Sequence, residues 1–523
     1  MEYKFRLFLK TYFFHLSHWP TGWRKFSMFD FRKVLQVYGA STAPAGRLDA
    51  VYSPRFGRAY RSSLTLPLTT EFSTKMCILL VTAMIVYGGF QTLADFRYML
   101  DELRLSRTGW MFFYAFRALV VSNIVVFLWR ILLVLGYKPA QSCTDEQLPV
   151  CTVIIPAYNE GKQVLKTLRS VLKSNYPLDK LQIITVNDGS ADDTLVWMQK
   201  GCGESDGRIE LINFEKNRGK RAALYEGIVR SRGQIIVTID SDSIIDRQTL
   251  RRLVSPFADS QVGAVAGNVR VLNRKDGIIP KMLDVTFAYS FDFIRASQSM
   301  VNTVFCTPGA LSAYRKSVIR KDLKNWLHQT FLGQPATIGE DRAMTNIVLR
   351  NGYDVKFQSN AIVYTMVPTE YKQLCKMFLR WARSNVRETC VMIRYIFKKF
   401  RTGSASGARV NFVVSFINPV LSRVLCFAVA GWLLTQPYVY LSQLLFGGAV
   451  ASTAPVVFYV LRRRSTEAVW AYVYGWFWLA GLWWINIWAV LTMRNGKWLT
   501  RDLPAAGTPA VVRLLQKFRL RAA

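Results

Sequence analysis

The chain has 523 residues, 51% hydrophobic and 14% aromatic, with 68 Lys and Arg against 34 Asp and Glu for a formal charge of +34. That many aromatics exclude a disordered chain, and 32 Gly, 18 Pro and eight Cys without regular spacing exclude collagen and a disulfide scaffold. With only three His (His15, His18 and His328), zinc sites of the HExxH or Cys/His type are excluded, so a catalytic metal is expected on carboxylates, as Mg²⁺ or Mn²⁺.

An apolar chain with excess cations suits a membrane protein with a cytosolic face. Residues 1–75 carry twelve Lys/Arg against Glu2, Asp30, Asp49 and Glu71, and show nothing like a cleaved signal peptide. Met76–Phe90 and Ala118–Gly136 each extend to about 20 mostly apolar residues, the length of one helical crossing. Residues 137–370 then read as a soluble domain. Short β-rich runs (Cys151–Ile155, Leu181–Val186, Arg208–Phe214, Gln234–Ile239, Val262–Ala266) alternate with helical patterns near Lys162–Leu172, Asp192–Lys200, Lys220–Ser231 and Arg247–Pro256. Such alternation predicts an α/β domain, a mostly parallel sheet with helices on both faces.

Residues 371–410 follow. From Lys372 to Arg409, ten Lys/Arg and the single acid Glu388 interleave with large apolar residues, predicting amphipathic helices at a membrane surface. In 411–493, Phe412–Leu434 and Tyr438–Leu461 form a second pair of spans separated by Thr435, Gln436 and Pro437. Ala468–Met493 is a fifth apolar stretch, crowded with Trp and Tyr. The basic segments 1–75, Arg462–Arg464 and 494–523 belong together in the cytoplasm. That requires an even number of crossings, so the fifth stretch is re-entrant, a tight hairpin or interfacial.

In parallel sheets ligands bind beyond the carboxyl ends of the strands. Three polar, acid-bearing loops leave successive strands there: Pro156–Glu160, Asn187–Ser190 and Asp240–Ser243. Each alone reads as an ordinary cap or turn, but together they line one crevice. The Asp240-x-Asp242 spacing can hold a divalent cation and leave positions for phosphate oxygens, and Lys220, opening a helix, can neutralise the same phosphates. No GxxxxGK[ST] run is present, which disfavours P-loop hydrolysis.

Taken in order, the motifs resemble the processive family 2 glycosyltransferases of GT-A fold, above all hyaluronan synthases and rhizobial chitin-oligosaccharide synthases. The runs are PAYNE (156–160), NDGS (187–190), NRGKRAAL (217–224), DSD (240–242), GNVRV (267–271), CTPGALSAYR (306–315), FLGQPATIGEDR (331–342), RWARSNVRE (380–388) and KWLTR (497–501). The resemblance implies a GT-A domain inserted into an α-helical transmembrane bundle with amphipathic interface helices. It implies Asp341 as general base; Ala157, Tyr158, Glu160, Asp188, Lys220, Asp240 and Arg380 as nucleotide contacts; and Asp240 and Asp242 as metal ligands. It implies Thr307, Pro308, Gly309, Glu340, Arg342 and Trp381 as acceptor and channel residues. The sequence departs from the family pattern at Met377 (usually Gln), Asn187 (Asp), Leu499 (Gly) and Thr307–Gly309 (Ser-Gly-Pro).

The function so implied is polymerisation of a UDP-sugar into a β-linked chain that leaves through the protein's own bundle. Hyaluronan, a chitin-like chain and another β-linked polymer all remain open. The expected partners are a UDP-sugar, the growing polysaccharide and membrane lipids, with no nucleic acid; the expected place is the plasma or inner membrane, with the catalytic domain and both termini cytosolic. One rival is a transferase adding a single sugar to a lipid. A transporter is disfavoured, because Arg130, Asn418 and Arg423 are nearly alone as polar residues in the spans.

Overall fold

The computed structural model describes residues 68–417, 420–421 and 431–496. Most of the basic N-terminal segment, much of the Phe412–Leu434 stretch, Asn418, Arg423, and the Lys497–Arg501 run lie outside the described residues.

The chain enters through helix α1 (Leu68–Gln91), a short amphipathic helix α2 (Leu93–Leu105) and helix α3 (Gly109–Gly136). The α/β domain follows with β1 (Cys151–Ala157), α4 (Gln163–Leu172), β2 (Leu181–Asn187), α5 (Thr194–Gly203), β3 (Ile209–Asn213), α6 (Lys220–Arg230), β4 (Ile235–Thr238), β5 (Ser243–Ile245), α7 (Thr249–Val254) and β6 (Val262–Val271). Then come α8 (Ile278–Ala288), β7 (Ser312–Arg315), the small ribbon β8 (Thr330–Phe331) and β9 (Gln334–Pro335), α9 (Glu340–Arg350) and β10 (Asp354–Thr365). Helices α10 (Tyr371–Ile396), α11 (Ser406–Phe412), α12 (Pro437–Arg463), α13 (Trp470–Phe477) and α14 (Trp483–Leu491) complete the described chain.

The sheet runs β3-β2-β1-β4-β7-β6-β10-β5. It is mixed but mostly parallel, as expected: β7 and β5 alone run against the other six strands. Strands β3, β2, β1 and β4 are parallel neighbours, and so are β6 and β10; β7 lies antiparallel between β4 and β6, and β5 antiparallel on β10. The apolar run of β1 is buried along its whole length, as a central strand covered on both faces must be. Helix α4 lays Val164, Leu165, Leu168 and Val171 on the sheet at helical spacing. The antiparallel insertion matters for function. Ser312, which begins β7, pairs with Thr238, which ends β4, so the turn leading into β7 arrives at the carboxyl edge of the parallel strands.

Three described helices have the length and composition to cross a membrane: Thr70–Gln91, Gly109–Gly136 and Pro437–Arg463. Polar contacts tie α3 and α12 to the rest of the described chain. Arg130 of α3 donates to Ser297 Oγ (2.9 Å), Asn411 Oδ1 (3.3 Å) and Ser415 Oγ (3.2 Å). Arg463 of α12 pairs with Asp292 at 3.3 Å. The fifth apolar stretch is not one helix. A π-helical stretch at Trp478–Leu482 breaks it into α13 and α14, and the freed Gly481 carbonyl accepts from Tyr371 (2.6 Å) and Trp484 (2.9 Å). Both of its ends touch the α/β domain: Lys281 lies over the Trp470 ring at 5.3 Å, and Thr337 Oγ1 donates to the Gly496 carbonyl.

Close packing of α6 on the sheet depends on Gly227, where a Cβ would sit 2.6 Å from Ile154 Cγ2. Gly227→Ala should lower stability by roughly 1–3 kcal/mol through overpacking. Gly203→Ala, in open space at the end of α5, should be neutral or slightly stabilising. Thermal unfolding of the detergent-solubilised protein compares them.

Candidate active site

Four loops and two helix starts converge at the carboxyl edge of β1, β2 and β4. The first two loops are stitched together: Asn159 N–H donates to Ser190 Oγ (3.1 Å), Ala191 N–H to Asn159 Oδ1 (2.9 Å), and Glu160 N–H to Thr194 Oγ1 (2.8 Å). Asn159 adopts a φ of 52°, which Asn tolerates better than most residues. Buried Asp188 donates its N–H to the Ala157 carbonyl (2.9 Å) and accepts the Arg218 N–H at 2.7 Å, tying these loops to the segment before α6. Ala157 is buried, while Tyr158 and Glu160 line the half-exposed rim.

Lys220 is the centre. Its Nζ lies 2.6 Å from Asp240 Oδ1, beyond β4, and 2.6 Å from Glu340 Oε1, at the start of α9. Burial opposes the charge on Lys220, but the two carboxylates outweigh it and hold the ammonium well above its ordinary range. Burial likewise opposes ionisation of Glu340, and the adjacent Lys220 overrides it and holds the carboxyl down at about 2. Asp341 behaves oppositely. Burial, and then the Glu340 charge beside it, push its carboxyl up to about 6. Adjacent carboxylates driven apart in this way mark one as a fixed anion and the other as a proton acceptor near neutral pH.

Asp341 Oδ2 accepts the Gly309 N–H at 3.1 Å. A Cβ on Gly309 would stand 3.0 Å from Lys220 Nζ and 3.3 Å from Asp240 Oδ2, so glycine keeps the space over this ion pair open. Asp242 accepts from Thr365 Oγ1 at 3.3 Å and Ser243 Oγ at 3.2 Å. Asp240 and Asp242, two residues apart in the loop beyond β4, have the hard oxygen chemistry of Mg²⁺ or Mn²⁺ ligands, and a diphosphate can complete such a shell, so the residues present fit the cation. Among the described residues no cluster of three or more His, Cys, Asp or Glu is poised to hold a metal by itself.

Other expected positions fall differently. Thr307 is fully buried, its hydroxyl 2.7 Å from Tyr314 Oη and 2.9 Å from Thr345 Oγ1, and Pro308 forms the turn with Leu311. Arg342 is buried between the Phe305 and Phe416 rings and donates to the Phe305 carbonyl at 2.5 Å. Both residues support the site from behind. Arg380 and Trp381 lie in the middle of α10. Arg380 is close enough to Glu340 to favour its charge, and Trp381 is 40% exposed beside Phe287 and Phe378. Met377, where the family pattern has Gln, is buried in the core.

Sequence reasoning missed Cys306, whose sulfur lies 3.8 Å from Asp341 Oδ2; burial pushes its thiol up to about 12, so it is an inert neighbour. It also gave no role to buried Arg221, Arg387 and Glu388, or to partly buried Gln329, polar residues behind the site. The available signal was that Arg387 and Glu388 follow Arg380 by seven and eight residues, on the helix face facing inward.

Comparison with known proteins bears on the family and the fold. The profile of Glycosyl transferase family 2 matches residues 152–323. The chain is 30% identical over 303 residues to an N-acetylglucosaminyltransferase of Neorhizobium galegae, spanning 57% of this chain and 70% of that one. It is 34% identical over 248 residues to a hyaluronan synthase of Streptococcus pyogenes, spanning 46% of this chain and 58% of the synthase. The fold resembles a mannosyltransferase from Pyrobaculum calidifontis solved with GDP-Man and Mn²⁺: the TM-score is 0.50 at 20% identity, over 72% of this chain and 98% of that chain.

Lys220→Met leaves Asp240 and Glu340 without their shared cation. Breaking one side of a mostly buried pair costs about 3–5 kcal/mol, so the unfolding midpoint should fall markedly at neutral pH. An unchanged midpoint would show that Lys220 is dispensable to the assembled loops.

Proposed function

Because the chain belongs to glycosyl transferase family 2, we propose that it is a processive, inverting enzyme of the membrane that polymerises a UDP-sugar into a β-linked polysaccharide and passes it out through its own helices. The observation that carries this reading is the pairing of Lys220 with Asp240 and Glu340 while Asp341, its neighbour, is poised to accept a proton. In this reading Tyr158, Glu160 and Asp188 hold the nucleoside, and Lys220 and Arg380 face the diphosphate. A divalent cation on Asp240 and Asp242 would neutralise diphosphate charge as a Lewis acid. Lys220 stabilises the negative charge that grows on departing UDP. Asp341 takes the proton from the acceptor hydroxyl, whose oxygen attacks the anomeric carbon from the side opposite UDP. An α-linked donor then yields a β-linkage. Trp381 offers an aromatic face on which a sliding sugar chain can stack. Cytosolic donor use fits the basic flanks of the spans.

The rival is transfer of one sugar to a lipid. Purified protein incubated with each UDP-sugar, singly and in pairs, with Mn²⁺ or Mg²⁺ separates the two: a ladder of chain lengths supports the polymerase, and one lipid-linked product of fixed size contradicts it.

Asp341→Asn should cut transfer by about 10²–10⁴-fold while UDP binding survives, because the amide cannot accept the proton. For the unaltered protein, turnover should fall about tenfold per pH unit below about 6, where Asp341 becomes protonated, and be insensitive to this group above it. A variant with normal turnover would remove Asp341 from the chemistry. Trp381→Ala should shorten or abolish polymer with UDP affinity nearly unchanged; gel sizing beside calorimetry decides, and full-length product would place the acceptor elsewhere.

A further inference from the structure

Behind the site lies a buried carboxylate that the proposed chemistry leaves unused. Glu388 of α10 is 0% exposed and Arg387 2%. Glu388 Oε1 accepts from Gln329 Nε2 (3.1 Å) and Arg387 Nε (3.2 Å), and Oε2 from Asn346 Nδ2 (2.9 Å), which also donates to the Glu388 carbonyl (2.9 Å). A carboxylate this deep persists as a charge only when paired and hydrogen-bonded on every side, so its partners are fixed in place. Arg387 uses another part of the same guanidinium to donate to the Ile338 carbonyl. Ile338 precedes Gly339, Glu340 and Asp341.

Gly339 makes the attachment tight. Its φ is +70°, and a Cβ there would lie 1.7 Å from Ser384 Oγ, so the backbone that delivers Asp341 is pressed directly on α10. The same helix, two turns earlier, carries Arg380 and Trp381. Asn346 belongs to α9, the helix whose second residue is Asp341. Lys220, by contrast, is held by its own two carboxylates; the link to it through Gln329 and Arg221 (2.9 Å) is indirect.

We infer that Glu388, acting through the Arg387 guanidinium, is a positioning residue that holds the Gly339–Asp341 turn against the helix bearing Trp381, setting base and acceptor platform in register. The inference rests on the role proposed for Asp341. Loss of the Glu388 charge loosens Arg387, the turn shifts, and the base moves relative to the acceptor hydroxyl while the donor site keeps its ligands. Misplacement on the order of 1 Å can cost about 10²-fold in rate.

The test uses the full chain with Glu388→Gln, Arg387→Lys and the double variant, with UDP-N-acetylglucosamine alone and mixed with UDP-glucuronate plus Mn²⁺ as donors, and UDP with Mn²⁺ as the binding probe. Each single variant should lose about 10–100-fold in kcat with UDP affinity within about threefold, and the double should be no worse than the more severe single, because both act through one arm. If Glu388→Gln does not fold, Arg387→Lys, which leaves Glu388 its Gln329 and Asn346 partners, carries the same kcat-against-affinity comparison. Unchanged kcat, UDP affinity and unfolding temperature falling in parallel with kcat, or single effects that multiply in the double would each overturn the inference. Wild-type protein that binds UDP but transfers no sugar from any UDP-sugar contradicts the proposed function instead, and the inference falls with it.

Discussion

One ammonium group between two carboxylates from distant parts of the chain organises this protein. Lys220 opens a helix, Asp240 follows the next parallel strand 20 residues later, and Glu340 begins a helix 100 residues beyond that. Without Lys220 the two acids would repel each other across a partly dehydrated crevice, and the loops bearing them would have no reason to meet. With it, Glu340 is locked as an anion. That locked charge, together with burial, raises the proton affinity of Asp341. The role proposed for Asp341 thus depends on the ion pair next to it.

The second organising element is α10. Its partly exposed Trp381 packs beside Phe287 and Phe378, its inner residues Ser384, Arg387 and Glu388 back the Asp341 turn, and its first residue Tyr371 holds the bend between α13 and α14 through the Gly481 carbonyl. A single 26-residue helix therefore touches the Gly339–Asp341 turn, carries Trp381 and meets the broken apolar segment. Rigid helices hold functional geometry better than loops, and this one spans the junction of soluble chemistry and apolar helices.

Much of this was legible in the residues. The apolar runs of β1, β2 and β4 declare buried strands, and the polar loops after them gave the crevice, because parallel strands must present their carboxyl ends together. Strand β7 was not legible as a partner of β4. Its four residues are too short to show a period, and its antiparallel placement is fixed by pairing with both β4 and β6, a long-range contact. The resemblance placed Thr307 and Arg342 among the acceptor residues, but whether a motif side chain faces a crevice or its supporting wall depends on rotamer and packing. Arg387 and Glu388 carried the opposite problem: charges on an amphipathic helix read as solvent-facing, and only their convergence with Gln329, Asn346 and Ile338 buries them.

The most direct test of the central claim is cryo-electron microscopy of the full chain with UDP and Mn²⁺. The account requires the diphosphate over Gly309, within contact of Lys220 and Arg380, and density for the cation at Asp240 and Asp242. UDP bound elsewhere, with the Lys220–Asp240–Glu340 cluster closed and unchanged beneath an empty crevice, would contradict it.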